Sequence, residues 1–94
     1  MNNISVNELK SMTNINIIDI RSREKYNDNH IPNSINIPFN EIILNLDKYF
    51  NKNESYYIYC QKGIMSQKAC IMLSNLGYNV VNISGGYESW VMAE

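Results

Sequence analysis

Tyr56-Tyr57-Ile58-Tyr59-Cys60-Gln61-Lys62-Gly63-Ile64-Met65-Ser66 is a β-forming run that ends on a cysteine, turns through a glycine and leads into a helical pattern. From Ser66 the apolar positions Ala69, Cys70, Leu73 and Leu76 recur at helical spacing, and Gly77 stands where a helix stops, with Tyr78 beyond it. A strand that hands over to a helix through a short loop is one half of a βαβ unit. The thiol of Cys60 lies at the handover. There, consecutive backbone N–H groups and the positive end of the following helix can stabilise a thiolate, the reactive form of cysteine.

The same alternation extends in both directions. Upstream, Asn16-Ile17-Ile18-Asp19-Ile20 is the β-branched apolar run of a buried parallel strand, with Asp19 and Arg21 at its C-terminal end. Ser22 to Asn27 suits a brief helix, Asn27 to Asn33 is turn-rich, and Ser34-Ile35-Asn36-Ile37 before Pro38 reads as a short strand. Asn40 is placed to cap a helix running from Glu41 towards Tyr49. Near the N-terminus, Ser5-Val6-Asn7-Glu8 has the form of a capping box, with Ile4 and Leu9 spaced as a hydrophobic staple. Downstream, Tyr78 to Ile83 predicts a last strand, Gly85-Gly86 a tight turn, and Tyr87 to Met92 a closing helix. The pattern is that of an α/β domain with a largely parallel sheet and ligands at the carboxyl ends of its strands, where Asp19, Cys60 and Gly85 all fall.

Size and charge narrow the function. A chain of 94 residues, 45% hydrophobic, is expected to form one domain over 1–94. A net charge of −1 offers no basic field for nucleic acid, and no window approaches the ~18 apolar residues of a membrane span. The N-terminus has no charged segment followed by an apolar one, so a cytoplasmic location is expected. Two cysteines ten positions apart form neither a disulfide framework nor a C-x-x-C pair. With a single histidine, no metal or other cofactor is expected.

Three segments together resemble a rhodanese domain. They are Asp19-Ile20-Arg21 followed by Tyr26 and His30-Ile31-Pro32-Asn33-Ser34-Ile35-Asn36-Ile37-Pro38; Tyr59-Cys60 through Ser66; and Gly85-Gly86-Tyr87-Glu88-Ser89-Trp90. The resemblance implies a three-layer fold with a mostly parallel five-stranded sheet flanked by helices. It implies an enzyme similar to thiosulfate sulfurtransferase. In that family the residue matching Cys60 takes a sulfur atom from a donor such as thiosulfate, becomes a persulfide and passes the sulfur to a thiol or cyanide. Gln61, Lys62, Gly63, Ile64, Met65 and Ser66 then form the substrate-binding loop, with Asp19, Arg21, Gly85 and Gly86 behind it. Partners consistent with that chemistry include a protein persulfide, a cysteine desulfurase or a thioredoxin-like protein.

Within the loop, Gly63 is best able to take a positive φ, and Ser66 either donates its hydroxyl to the sulfur or caps the helix. Lys62 either lowers the pKa of Cys60 and steers an anionic donor in, or extends into solvent. Met65 departs from the family, many of whose members carry arginine there. It cannot grip an oxyanion bidentately, so a softer donor such as a protein persulfide gains ground, and an alternative reading is a sulfur relay with little turnover on small donors. Cysteine phosphatases need Cys-x5-Arg, whereas here the sixth residue after Cys60 is Ser66. Asp19 and Arg21 are expected mainly to tie the strand end to a neighbouring loop, and the His30 imidazole to bond backbone within a turn. Asn29 and Asn33 stand where the family has glycine and are expected to tolerate a left-handed conformation. Cys70 is expected to be a buried hydrophobe.

Overall fold

The computed structural model describes residues 2–93. Five strands, β1 (Asn2–Ile4), β2 (Asn16–Asp19), β3 (Ile35–Asn36), β4 (Ser55–Tyr59) and β5 (Asn79–Ile83), form one sheet in the order β1-β5-β4-β2-β3. Every pairing is parallel. Six helices connect them: α1 (Val6–Lys10), α2 (Arg23–Asp28), α3 (Phe39–Leu44), α4 (Leu46–Tyr49), α5 (Ile64–Asn75) and α6 (Gly86–Met92). The domain is therefore the three-layer α/β fold that the sequence predicts.

Side chains of β4 alternate across the sheet, as a strand covered on both faces requires. Tyr56, Ile58 and the following Cys60 enter a core completed by Ala69, Cys70 and Leu73 of α5 and by Ile42 of α3. Tyr59 enters the other core, beneath Val6 and Leu9 of α1, with Tyr57 and with Tyr87 and Trp90 of α6 packed against it. Cys60 thus leaves the central strand on the α5 side.

The predicted caps are formed. Ser5 Oγ accepts the Glu8 N–H at 3.1 Å and Glu8 Oε1 accepts the Ser5 N–H at 3.1 Å. Ile4 and Leu9 share one core cluster, as a staple demands. α5 ends in a Schellman motif: the Tyr78 N–H donates to the Leu73 carbonyl and the Gly77 N–H to the Ser74 carbonyl, both at 3.0 Å.

Four elements differ from expectation. β1 is an additional strand; its polar Asn2-Asn3 gives no alternation, and it exists because its backbone pairs with β5, Asn3 opposite Asn82. The single helix expected over 41–49 is two, broken at Asn45 (φ −146°, ψ 56°), and it starts after Pro38 rather than Asn40. The proline ring already holds the φ near −53° that the entry to α3 uses. α5 begins at Ile64, two residues before Ser66, because Gly63 turns the chain at φ 91°. β3 is only two residues long: after Ile37, whose N–H donates to the Asp19 carbonyl at 2.9 Å, the chain turns through Pro38 into α3.

Candidate active site

Cys60 is 6% exposed. Its sulfur receives two backbone donors, Gly63 N–H at 3.2 Å and Ser66 N–H at 3.3 Å. The second belongs to the first turn of α5, whose N–H groups have no intrahelical acceptor and whose end carries positive partial charge. The Cys60 thiol also donates to Ser66 Oγ at 3.3 Å, and that hydroxyl donates in turn to Asn82 Oδ1 at 2.6 Å. Ser66 lies at the third position of α5, so it does not cap the helix, and in this arrangement it accepts from the thiol instead of donating to it.

The loop takes this shape because α6 holds it from outside. The Tyr87 N–H donates to the Cys60 carbonyl at 2.9 Å, and the Glu88 N–H to the Gln61 carbonyl at 3.0 Å. Two otherwise unpaired donors of the α6 N-terminus are thereby satisfied, and the loop carbonyls are turned away from the sulfur. This contact requires Gly86: a Cβ there would lie 2.3 Å from the Cys60 carbonyl oxygen and 2.9 Å from the Gly63 nitrogen. Gly63, at φ 91°, is also tightly approached, since its Cβ would meet the Gly85 nitrogen at 2.8 Å.

Behind the loop, Asp19 is fully buried and Arg21 nearly so. Arg21 Nε and Nη2 grip the Asp19 carboxylate at 2.8–3.1 Å, while Nη1 donates to Gln61 Oε1 at 3.0 Å and Nη2 to the Asn29 carbonyl at 2.6 Å. The guanidinium lies 4.4 Å from the centre of the Tyr87 ring. Burial opposes its charge, but the hydrogen bond and attraction to Asp19 prevail and raise its pKa. Every guanidinium nitrogen is engaged with protein, so the pair ties the end of β2 to the loop, to the end of α2 and to α6.

The turn that precedes β3 docks on the same framework. His30 Nδ1 lies 2.7 Å from the Tyr26 carbonyl and the two rings stack at 3.8 Å, so its partner is backbone. Asn33 is left-handed (φ 68°), whereas Asn29 is extended (φ −168°) and needs no glycine-like freedom. The Tyr59 hydroxyl accepts the Ile31 N–H at 3.1 Å, and burial, then the Asp19 carboxylate, raise its pKa.

In front of the sulfur opens a cavity of about 620 Å³. Ile20, Ile64 and Met65 supply apolar wall, and Lys25, Lys62 and Lys68 line it as well. Ile64 is 63% and Met65 51% exposed. Cys70 is fully buried, and burial, then the neighbouring Cys60 charge, push its thiol up to about 12. Among the described residues no cluster of His, Cys, Asp or Glu could hold a metal ion, and no helix is long and apolar enough to cross a membrane.

The rhodanese-like domain profile matches residues 5–93. The chain belongs to the rhodanese family. It is 34% identical over 76 residues to the thiosulfate sulfurtransferase PspE of Escherichia coli, covering 80% of this chain and 73% of that one. It is 35% identical over 88 residues to the adenylyltransferase and sulfurtransferase uba4 of Ogataea parapolymorpha, covering 93% of this chain and 23% of that protein. The crystal structure of a rhodanese-related protein from Thermoplasma volcanium superposes with a TM-score of 0.90 at 30% identity, covering 99% and 93% of the two chains. Several curated relatives are longer, and this chain spans less than half their length.

Of the predicted site residues, the loop from Cys60 to Ser66 surrounds the sulfur and the cavity, Gly85 and Gly86 lie against its backbone, and Asp19 and Arg21 brace it from behind. Gln61 is split between these roles, its backbone in the loop and its side chain on Arg21. Sequence reasoning missed Asn82, Lys25 and Lys68. Asn82 had a signal: it is a polar residue on the same face of β5 as buried Val80, so it required a buried partner.

Two outcomes follow from this geometry. Gly86→Ala combines a left-handed φ of 60° with a backbone clash, and a loss of about 3 kcal/mol in urea unfolding is expected, with slower alkylation of Cys60 by iodoacetamide. Cys70 holds its proton in the folded state while the unfolded thiol ionises from near pH 9. The unfolded state is therefore favoured progressively between about pH 9 and 12, and stability of the native chain should fall more steeply across that window than that of Cys70→Ala.

Proposed function

We propose that this rhodanese domain is a sulfurtransferase working through a persulfide on Cys60. The observation that carries the reading is the pair of backbone N–H groups directed at the Cys60 sulfur, beside an open cavity. The relatives named as sulfurtransferases agree with it.

In the first step the Cys60 thiolate attacks the outer sulfur of thiosulfate or of a persulfide. A new S–S bond forms to Cys60 and the S–S bond of the donor breaks, its electron pair leaving on sulfite or on the donor thiolate. In the second step a thiol or cyanide attacks the outer sulfur of the Cys60 persulfide and returns the thiolate. The persulfide is anionic near neutral pH, so the N–H groups of Gly63 and Ser66 serve both the nucleophile and the intermediate. Arg21 is committed to Asp19 and holds the loop rather than the donor. Gln61, Lys62, Ile64 and Met65 form the approach, and Gly85 and Gly86 the support. A cytoplasmic setting fits two free thiols. A cysteine desulfurase or a thioredoxin-like protein suits the donor and acceptor positions.

Sulfur relay between proteins is the second reading, and one observation favours it. Met65 stands half-exposed at the cavity where many members carry arginine, so no guanidinium there meets a small oxyanion.

Incubation with thiosulfate should add one sulfur atom to the intact mass, and cyanide should remove it as thiocyanate. Cys60→Ser should abolish both and Cys70→Ser neither. No gain from thiosulfate with ready loading from a desulfurase persulfide selects the relay; no gain from either sinks the proposal. Met65→Arg should lower the KM for thiosulfate about tenfold, the effect of one charge-assisted contact of about 1.4 kcal/mol; an unchanged KM would show that backbone donors alone set anion binding.

A further inference from the structure

The lysines of this chain divide into two sets. Lys10 lies 5.0 Å from the centre of the Trp90 ring and donates to the Ala93 carbonyl, Lys48 lies 5.4 Å from Tyr49, and Lys52 lies 5.3 Å from Tyr78. The side-chain amines of the other three, Lys25, Lys62 and Lys68, form no ion pair, hydrogen bond or cation–π contact among the described residues. All three line the one cavity in front of Cys60. No carboxylate lines it, and Arg21, which does, is neutralised by Asp19. A chain with a net charge of −1 thus gathers its unengaged lysines around its reactive sulfur.

A single sulfur oxyanion does not account for this. The cavity, at about 620 Å³, falls within the range of about 300–1,000 Å³ that encloses drug-sized ligands. Its lip is apolar as well as cationic. Ile64 and Met65 are exposed beside the lysines, and lysine stems themselves cover apolar surface. A matching ligand carries several carboxylates and an apolar group on either side of a sulfur that reaches the loop.

We infer that the physiological donor is a protein that presents its persulfidated cysteine on an acidic segment, with an apolar residue next to that cysteine. This rests on the sulfur-transfer reading and names its donor. The acidic side chains meet Lys25, Lys62 and Lys68, the apolar residue packs on Ile64 and Met65, and the Cys60 thiolate attacks the terminal sulfur. The new bond joins Cys60 to that sulfur, the donor's S–S bond breaks, and the donor keeps the electron pair as a thiolate, so no oxidant or reductant is consumed.

The test uses two synthetic peptide persulfides of equal length, one with glutamates and a leucine around its cysteine and one with lysines and the same leucine. Loading of Cys60 is followed by intact mass, and rates are normalised to the reaction of Cys60 with iodoacetamide so that a damaged site is not mistaken for lost recognition. The acidic peptide should load at least tenfold faster at low salt, with the advantage shrinking in 0.5 M salt, where screening acts over about 4 Å. Lys25→Glu combined with Lys68→Glu should reverse the preference. Equal rates for the two peptides, with loading intact, overturn the inference and leave the sulfur-transfer reading standing. Glutathione persulfide loading as fast as the acidic peptide overturns the protein source. Failure of every donor to load Cys60 overturns the sulfur-transfer reading and this inference with it.

Discussion

Two hydrogen bonds from the N-terminus of α6 to the carbonyls of Cys60 and Gln61 set the geometry on which the site depends. They hold the start of the loop against α6, and Gly63, at φ 91°, then turns the chain back over the sulfur into α5. The sulfur then meets Gly63 and Ser66 N–H without any side-chain cation in contact with it. The arrangement demands backbone-to-backbone approach at Gly63 and Gly86, which is why both positions lack a Cβ. One helix end thus shapes the loop while another, that of α5, supplies a donor to it.

The Asp19–Arg21 pair makes the arrangement rigid from the opposite side. Removing one member of such a buried pair leaves an uncompensated charge, at a cost of about 3–5 kcal/mol. Here the pair joins β2, the loop through Gln61, the end of α2 through Asn29 and the ring of Tyr87. An arginine so committed is unavailable to a substrate, although it borders the cavity. The other cations that border the cavity are three lysines, and what meets the sulfur is a pair of backbone donors.

Much of this was legible in the sequence because it is written in local chemistry. The handover at Tyr59-Cys60, the helix stop at Gly77 and the capping box at Ser5 each depend on residues within a few positions of one another. β1 was not legible: Asn2 and Asn3 become a strand only through pairing with β5, a contact across nearly the whole chain. The break at Asn45 was hidden because Ile42, Leu46 and Tyr49 keep helical spacing across it, and a single asparagine does not by itself end a helix. Ser66 was placed correctly beside the sulfur, but the direction of its hydrogen bond depends on Asn82, sixteen residues away. Of the three lysines at the cavity only Lys62 was legible, since it belongs to the loop while Lys25 and Lys68 reach it from two helices.

The central claim is that the N–H groups of Gly63 and Ser66 hold the sulfur of Cys60 in each of its states. Amide proton–nitrogen correlation spectra recorded before and after conversion of Cys60 to its persulfide test it directly. The account predicts that the Gly63 and Ser66 amide protons move the most, as their acceptor changes from a thiol to a sulfur carrying negative charge, while amides of β1 and α4 stay in place. Persulfide formation that leaves both resonances unmoved would contradict it.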